Sequence, residues 1–345
     1  MFDKKEQLIV WIEHHYRANV VNVHPLALGW KKVYRIEQKN GEDWVMRAYP
    51  PPDENSLPVD VEGLAAVLLF LETQAYPAER VLPAIEHAKI VQWDGWQVLM
   101  TTFLGQPLAA WQPAGESTKA LPLATNDAED AYAPKPLFSV SAAIARLHRL
   151  PLDAAIPRAG MLPSKELAWA NAGLLSIADQ VPEQLQAAYQ QIVAAVQQAD
   201  RLEDLPFTLI HNDCNPSNAV LTAAGEMSLI DWESAGRGPA LVDVGILLSN
   251  CFNKKKWRIE QAAVDAIVDG YCQHRLLNSA ELDHLADAIR FFRLVLLAGY
   301  FPERISQTMR NDELIYGATY AQWQAQYEAS ATIANLARER FTRYL

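Results

Sequence analysis

The residues with the clearest chemical potential lie in one short segment of the chain. Residues 209–218 read Leu-Ile-His-Asn-Asp-Cys-Asn-Pro-Ser-Asn, and an acidic pair, Asp231 and Glu233, follows. A carboxylate can accept the proton of a hydroxyl, while an amide and a second carboxylate offer the hard oxygen ligands that Mg²⁺ prefers. The spacing therefore predicts phosphoryl transfer, with Asp213 as the base and Asn218 and Asp231 as metal ligands.

A predicted hairpin would position these groups. Two short apolar runs, 219–221 and 227–230, flank an Ala-Ala-Gly turn at 223–225. Since a hairpin returns the chain to the end from which it started, Asn218 and Asp231 are expected to converge.

The first hundred residues predict a small α+β unit. Apolar periodicity predicts helices over 5–17 and 59–73. Alternation and turn signals predict strands over 32–37, 44–49, 89–93 and 96–101, the first two joined by Asn40-Gly41. Because side chains alternate along a strand, Val45, Arg47 and Tyr49 share one face.

The composition changes after residue 105. Residues 106–136 are rich in Pro and Ala and predict an insertion or linker, for which a surface loop is favoured over a cover for a cleft. Residues 137–345 are predicted to be mainly helical, with helices over 140–150, 183–200, 255–277, 280–300 and 317–344. The predicted division is 1–105 for the α+β unit, 106–136 for the insertion or linker and 137–345 for a helical lobe.

Composition excludes several classes of protein. A net charge of −11 disfavours nucleic acid as a partner. No apolar run approaches the roughly 20 residues that a membrane span needs, and the first residues do not resemble a leader segment, so we expect a cytoplasmic protein without membrane contact. The three cysteines lack metal-site or disulfide spacing.

The catalytic segment resembles that of the aminoglycoside phosphotransferase and choline kinase-like family, small-molecule kinases that share the protein kinase fold. The family pattern is H-x-D-x-x-x-x-N followed by an acidic D-x-D/E pair, and it is matched by His211, Asp213, Asn218, Asp231 and Glu233. The resemblance implies a two-lobed, protein kinase-like α+β fold, with a small N-terminal sheet lobe, a larger helical C-terminal lobe and nucleotide between them.

The resemblance also implies roles in the first lobe. Arg47 stands where protein kinases carry a Lys, so it would hold the nucleotide phosphates, braced by Glu62 or by the nearby Asp60. Thr101 and Phe103 lie in the segment that would meet the adenine.

Other family positions are supporting or weakly matched. His211 and Asp243 are expected to support the catalytic loop, and Glu233 is either a metal ligand or a supporting group. A glycine-rich phosphate loop is not evident, since Gly29 is the sole glycine between residues 26 and 33. Lys31 and Lys32 are interpreted as solvated lysines, with phosphate contact as the alternative.

The predicted activity is transfer of the γ-phosphoryl group of ATP, in preference to GTP, to a hydroxyl of a small molecule, with Mg²⁺ as cofactor. The alternative is a non-catalytic nucleotide-binding kinase-like module. An aromatic stripe could surround a cationic amine through cation–π contacts, although packing of the stripe in the protein core is the favoured interpretation. The stripe consists of Tyr316, Tyr320, Trp323 and Tyr327.

Overall fold

The structure is a computed structural model that describes residues 5–28, 31–51, 59–93, 95–105, 134–152, 162–253, 256–311 and 313–345. At residues 28, 300, 302–311 and 313–319 it describes the backbone alone. The chain divides into two compact units. The first unit holds the described parts of Met1–Gln106 together with Val220–Glu233, and the second unit holds those of Pro107–Leu152, Ala159–Ala219 and Ser234–Leu345.

The first unit is built on a five-stranded antiparallel sheet with the strand order β1-β2-β3-β5-β4. Its strands are β1 (Val20–Leu28), β2 (Lys32–Gln38), β3 (Trp44–Tyr49), β4 (Ile90–Trp93) and β5 (Trp96–Thr102). Two helices accompany the sheet, α1 (Lys5–Tyr16) and α2 (Val61–Thr73). Asp60 caps α2 by accepting a hydrogen bond from the Gly63 amide at 2.8 Å.

The second unit is mainly helical. Its helices are α3 (Pro134–Leu147), α4 (Pro163–Ser176), α5 (Gln186–Gln198), α6 (Ala240–Ser249), α7 (Gln261–Cys272), α8 (Ser279–Asp283), α9 (Leu285–Asn311) and α10 (Glu313–Thr342). Two small antiparallel sheets join them, β6 (Phe207–Ile210) with β9 (Gly236–Pro239) and β10 (Phe252–Asn253) with β11 (Arg258–Ile259). None of the helices, as far as they are described, is long and apolar enough to cross a membrane.

Close helix packing depends on two glycines. A Cβ on Gly245 of α6 would lie 2.4 Å from the carbonyl oxygen of Ala288 in α9, and one on Gly270 of α7 would lie 2.2 Å from that of Phe138 in α3. Every residue of α6 is buried. Glycine therefore permits backbone-to-backbone approach at both contacts.

A short hairpin begins at Ala219. Strands β7 (Ala219–Leu221) and β8 (Met227–Leu229) pair, and Gly225 in their turn has a φ of +79°. Leu229 also bridges Ala78 in parallel, and the indole of Trp232 donates to the Leu229 carbonyl at 2.9 Å. The bridge to Ala78 ties Val220–Glu233 to the rest of the first unit.

Most predicted elements are present with shifted ends. The strands predicted at 32–37 and 44–49 are β2 and β3, and the predicted hairpin is β7 with β8. The helix predicted over 255–277 begins at Gln261, because residues 258–259 form β11. Helix α3 begins at Pro134, so the last residues of the predicted 106–136 linker are helical; residues 106–133 lie outside the described part of the chain.

Candidate active site

The loop after β6 is fixed by a buried carboxylate from α6. Asp243 accepts hydrogen bonds from the His211 and Asn212 amides, each at 2.8 Å, and it is wholly buried. Burial alone would raise the pKa of Asp243, but the hydrogen bond from His148 and the His211 amide hold that pKa below its usual value. An ionised acceptor thus anchors the start of the loop that holds Asp213.

A buried series of hydrogen-bonded polar groups contacts Asp243. His148 lies 3.0 Å from Asp243 through Nε2 and 2.8 Å from the Tyr271 hydroxyl through Nδ1, and Arg275 donates to the same hydroxyl at 2.8 Å. Burial lowers the pKa of His148. A neutral imidazole that donates to Asp243 and accepts from Tyr271 satisfies both contacts.

Asp213 is held by two asparagine amides. The Asn215 side chain donates to one carboxylate oxygen at 2.7 Å, and the Asn218 side chain donates to the other at 2.8 Å and to the Asp213 carbonyl at 2.9 Å. The Asp213 amide in turn lies 3.3 Å from Nδ1 of the buried His211. The carboxylate is therefore fixed in orientation within a loop that is itself anchored at Asp243.

A second carboxylate, not anticipated from the sequence, contacts the same loop. Glu166 in the first turn of α4 accepts a hydrogen bond from the Asn212 side chain at 2.8 Å. Asn212 adopts a φ of +59°, a conformation that Asn tolerates better than most residues. Burial raises the pKa of Glu166 to about 7, against the hydrogen bond from Asn212, which lowers it.

In the first unit, Arg47 is bound by Glu79. The guanidinium makes a two-pronged contact with the Glu79 carboxylate at 2.6 and 2.9 Å, and both side chains are buried. The predicted brace was Glu62, or Asp60 in another register. That prediction is wrong, because Glu62 lies exposed in the first turn of α2 and Asp60 caps that helix.

Thr101 belongs to this buried cluster. Its hydroxyl accepts from Arg47 at 2.9 Å and donates to Glu79 at 2.6 Å, and the residue has no exposed surface. The structure thus corrects its predicted contact with nucleotide and makes it a positioning residue. Phe103 donates its amide to the Asp43 carbonyl at 3.0 Å and its ring lies 4.6 Å from the Arg35 guanidinium, so its predicted adenine contact would use other atoms.

The acidic pair converges on a lysine. The Lys31 ammonium donates to both Asp231 and Glu233, at 2.5 Å from Glu233. Glu233 also accepts from the Tyr49 hydroxyl at 2.7 Å and lies 3.9 Å from Nε of Arg47. Arg47 and Tyr49, predicted to share one face of β3, therefore both point to Glu233.

The charges in this cluster shift each other's pKa values. Burial would raise the pKa of Glu233, but the Lys31 ammonium holds it below its usual value. Burial and the neighbouring Glu233 carboxylate raise the pKa of Asp231. Burial lowers the pKa of Lys31, but Glu233 and Asp231 more than offset this and leave it raised. At neutral pH Lys31 and Glu233 are therefore both charged.

Most of this chain matches one known protein family. The model of the phosphotransferase enzyme family matches residues 22–286, more than half of the chain. The chain belongs to the phosphotransferase enzyme family. Both the catalytic loop and the acidic pair fall inside the matched stretch. Among curated proteins, none matches the chain significantly.

Solved structures confirm the fold of this phosphotransferase family member. Spectinomycin phosphotransferase APH(9)-Ia in complex with ADP and spectinomycin has a TM-score of 0.63 and 13% identity, covering 98% of this chain and 99% of that chain. Amicoumacin kinase hAmiN in complex with AMP-PNP, Ca²⁺ and Ami also scores 0.63 at 13% identity, covering 95% and 94%. The microcompartment-associated aminopropanol kinase scores 0.59 at 18% identity, covering 94% and 96%. The predicted kinase-like α+β fold is confirmed.

The family member's acidic pair fits a divalent cation. Asp231 and Glu233 are hard oxygen donors, and they already converge on a single positive charge. In the described ranges, no group of three or more His, Cys, Asp or Glu side chains forms a metal cluster. An ion held by this pair would thus take its remaining ligands from other oxygens, such as those of phosphate, amide and water.

The predicted aromatic stripe is packed in the second unit. The Tyr320 and Trp323 rings lie 5.5 Å apart, Trp323 and Tyr327 lie 5.2 Å apart, and the Arg290 guanidinium lies 5.3 Å from the Tyr327 ring. Trp323 is buried. These contacts favour the core interpretation for the described rings; the side chain of Tyr316 lies outside the described part.

Proposed function

We propose that this family member transfers the γ-phosphoryl group of ATP, in preference to GTP, to a hydroxyl of a small molecule. The observation that carries the proposal is the fixed carboxylate of Asp213, bound on one oxygen by Asn215 and on the other by Asn218. Its loop is anchored through two amides to Asp243. An oriented, partly exposed carboxylate of this kind suits the activation of a hydroxyl.

The proposed reaction is a direct displacement. The acceptor hydroxyl gives its proton to Asp213 as its oxygen bonds to the γ-phosphorus, and the bond from that phosphorus to the bridging oxygen breaks, releasing ADP. The two asparagine amides keep the Asp213 carboxylate facing one way while it takes the proton. Preorganisation of this kind removes the cost of orienting the base in each turnover.

Other residues are assigned to phosphate and metal. Arg47, held by Glu79, would place its guanidinium toward nucleotide phosphate. Asp231 and Glu233 would hold Mg²⁺, and Asn218 stays a predicted ligand. Magnesium supplies compensation for the negative charge on the phosphoryl oxygens. In the family neighbours named above, spectinomycin, amicoumacin and aminopropanol give the enzymes their names, which supports a small-molecule acceptor here.

The test measures ADP release from ATP and Mg²⁺ while a panel of hydroxyl compounds is screened for stimulation. Asp213→Asn and Asp231→Asn should each lower stimulated turnover by at least about a hundredfold, since each removes a group used in the transfer. Glu226→Gln, at an exposed position of the β7–β8 turn, is the matched control and should retain wild-type turnover.

Two outcomes would contradict the proposal. Undiminished turnover in both Asp213→Asn and Asp231→Asn would show that Asp213 is not the base and that Asp231 is not a required metal ligand. Nucleotide binding that needs no magnesium, with no turnover for any acceptor, would instead indicate the non-catalytic module. Circular dichroism of each variant shows whether a loss of turnover reflects loss of fold.

A further inference from the structure

Lys31 occupies the place where the acidic pair would hold a metal. Its ammonium lies between Asp231 and Glu233 and bonds to an oxygen of each carboxylate. The side chain is 13% exposed, so the contact is not that of a solvated surface lysine. The sequence interpretation of Lys31 as solvated is therefore wrong.

The ammonium and a divalent ion cannot share these contacts. A magnesium ion bound to both carboxylates would lie about 2.1 Å from their oxygens. The Lys31 nitrogen already lies 2.5 Å from the Glu233 oxygen, so the two would overlap in space as well as repel each other as like charges.

The Lys31 side chain can move away from the acidic pair. Its charge sits at the end of a flexible four-carbon stem, so it can withdraw without movement of the backbone. The Glu233 carboxylate would stay in place after its withdrawal, because Glu233 is also bound by the Tyr49 hydroxyl and lies near Arg47.

We propose that Lys31 is a tethered cation that occupies the metal position of the acidic pair in the metal-free protein and is displaced when the metal binds. The inference rests on the proposed function, which makes Asp231 and Glu233 metal ligands. Lys31 offsets one negative charge of the acidic pair when no metal is bound, and it weakens metal binding because every binding event must first remove it.

The experiment titrates the nucleotide-free protein with Mn²⁺ and follows the free ion by electron paramagnetic resonance. Mn²⁺ takes the same oxygen ligands as Mg²⁺ and is directly visible. Lys31→Met and Lys31→Gln should bind Mn²⁺ at least about fivefold more tightly than wild type, since the competitor is gone. Lys31→Arg, which keeps the charge, should bind about as weakly as wild type.

Two further variants locate the effect. Lys32→Met is the matched neighbour, because the Lys32 ammonium lies 5.1 Å from the centre of the Trp96 ring, and it should leave Mn²⁺ affinity unchanged. Asp231→Asn should abolish the tight site. Without metal, Lys31→Met should melt at a lower temperature than wild type. Mn²⁺ should raise the melting temperature of Lys31→Met by more than it raises that of wild type.

Unchanged or weaker Mn²⁺ binding in both Lys31→Met and Lys31→Gln would overturn the inference while leaving the proposed function intact. Mn²⁺ binding that survives Asp231→Asn would overturn the inference and the metal assignment together. If the predicted affinities hold in a protein that shows no phosphoryl transfer, the metal assignment and the inference stand, and the transfer reaction of the proposed function falls.

Discussion

Arg47 carries a full charge into the interior of the first unit, and Glu79 is the residue that makes this tolerable. A buried charge that loses its partner is among the more costly changes in a protein. The Glu79 carboxylate binds the guanidinium with both oxygens, and Thr101 donates to the same carboxylate. The three side chains therefore form one buried cluster.

Glu79→Gln should therefore lower the free energy of unfolding by about 3 kcal/mol, since it leaves the guanidinium without its counter-charge. Glu62→Gln, at the exposed position first expected to serve as partner, should change it by less than about 0.5 kcal/mol. Urea unfolding of both variants measures the difference. Equal losses would contradict the assignment of Glu79 as the residue that stabilises the buried Arg47.

Glu166 predicts a pH dependence of stability. Its pKa rises from an ordinary 4.5 to about 7 on folding, so the native state binds a proton more tightly than the unfolded state. The stability from this protonated group is complete below about pH 4.5 and is lost as the pH rises through 7. Between pH 5 and 8 the wild type should lose on the order of 2 kcal/mol more than Glu166→Gln, measured by urea unfolding. Parallel losses in the two proteins would contradict this origin.

At this scale the sequence predicts the residues that lie close together in the chain. The spacing of Asp213 and Asn218 can be read directly because one short loop holds both. Glu79 could not be found, because it lies in an irregular segment between α2 and β4, and its pairing with Arg47 depends on how that segment folds over β3. Glu166 was missed for a related reason, since its helix α4 has little amphipathic pattern to reveal it.

At the scale of elements, helices α3 and α7 depend on close contact at Gly270. Gly270→Ala places a Cβ 2.2 Å from the Phe138 carbonyl oxygen, where backbone cannot give way cheaply. We expect a loss of about 2 kcal/mol in unfolding free energy, consistent with overpacking of a tight core. Ala262→Ser, on the exposed side of α7, is the control and should change stability little. A tolerated Gly270→Ala would show that the helices can separate without cost.

Elements were predicted well where the period was regular and poorly where it was not. Strands β2 and β3 alternate and share an Asn-Gly turn, so local signals suffice. Strand β1 carries Pro25 and two irregularities in its pairing with β2, which break the alternation. Helix α6 is buried throughout, including its Asp243, so it has no solvent-exposed polar face to give a helical period.

At the scale of the whole molecule, the first unit is discontinuous in sequence. Val220–Glu233 belongs with the first 106 residues, bridging Ala78 through Leu229 and packing Trp232 against Tyr76 at 6.0 Å. The sequence suggests a division of the chain at residue 105. Such a division would separate β8 and Trp232 from the rest of this unit.

A fragment of residues 1–106 should therefore lack a cooperative thermal transition, followed by circular dichroism. The same fragment with residues 220–233 joined through a flexible Gly/Ser linker should regain one, because the linker restores β8 and the Trp232 contact. If the short fragment melts as cooperatively as the extended one, the later segment is dispensable for this unit.

The same discontinuity sets the order of events during synthesis. A ribosome adds roughly 5–20 residues per second, so the segment that completes the first unit emerges on the order of 10 s after residue 106. Through that interval the nascent first unit lacks β8, Trp232 and the two acidic partners of Lys31. The N-terminal part of this protein must therefore wait for its own completion while residues 107–219 are being made.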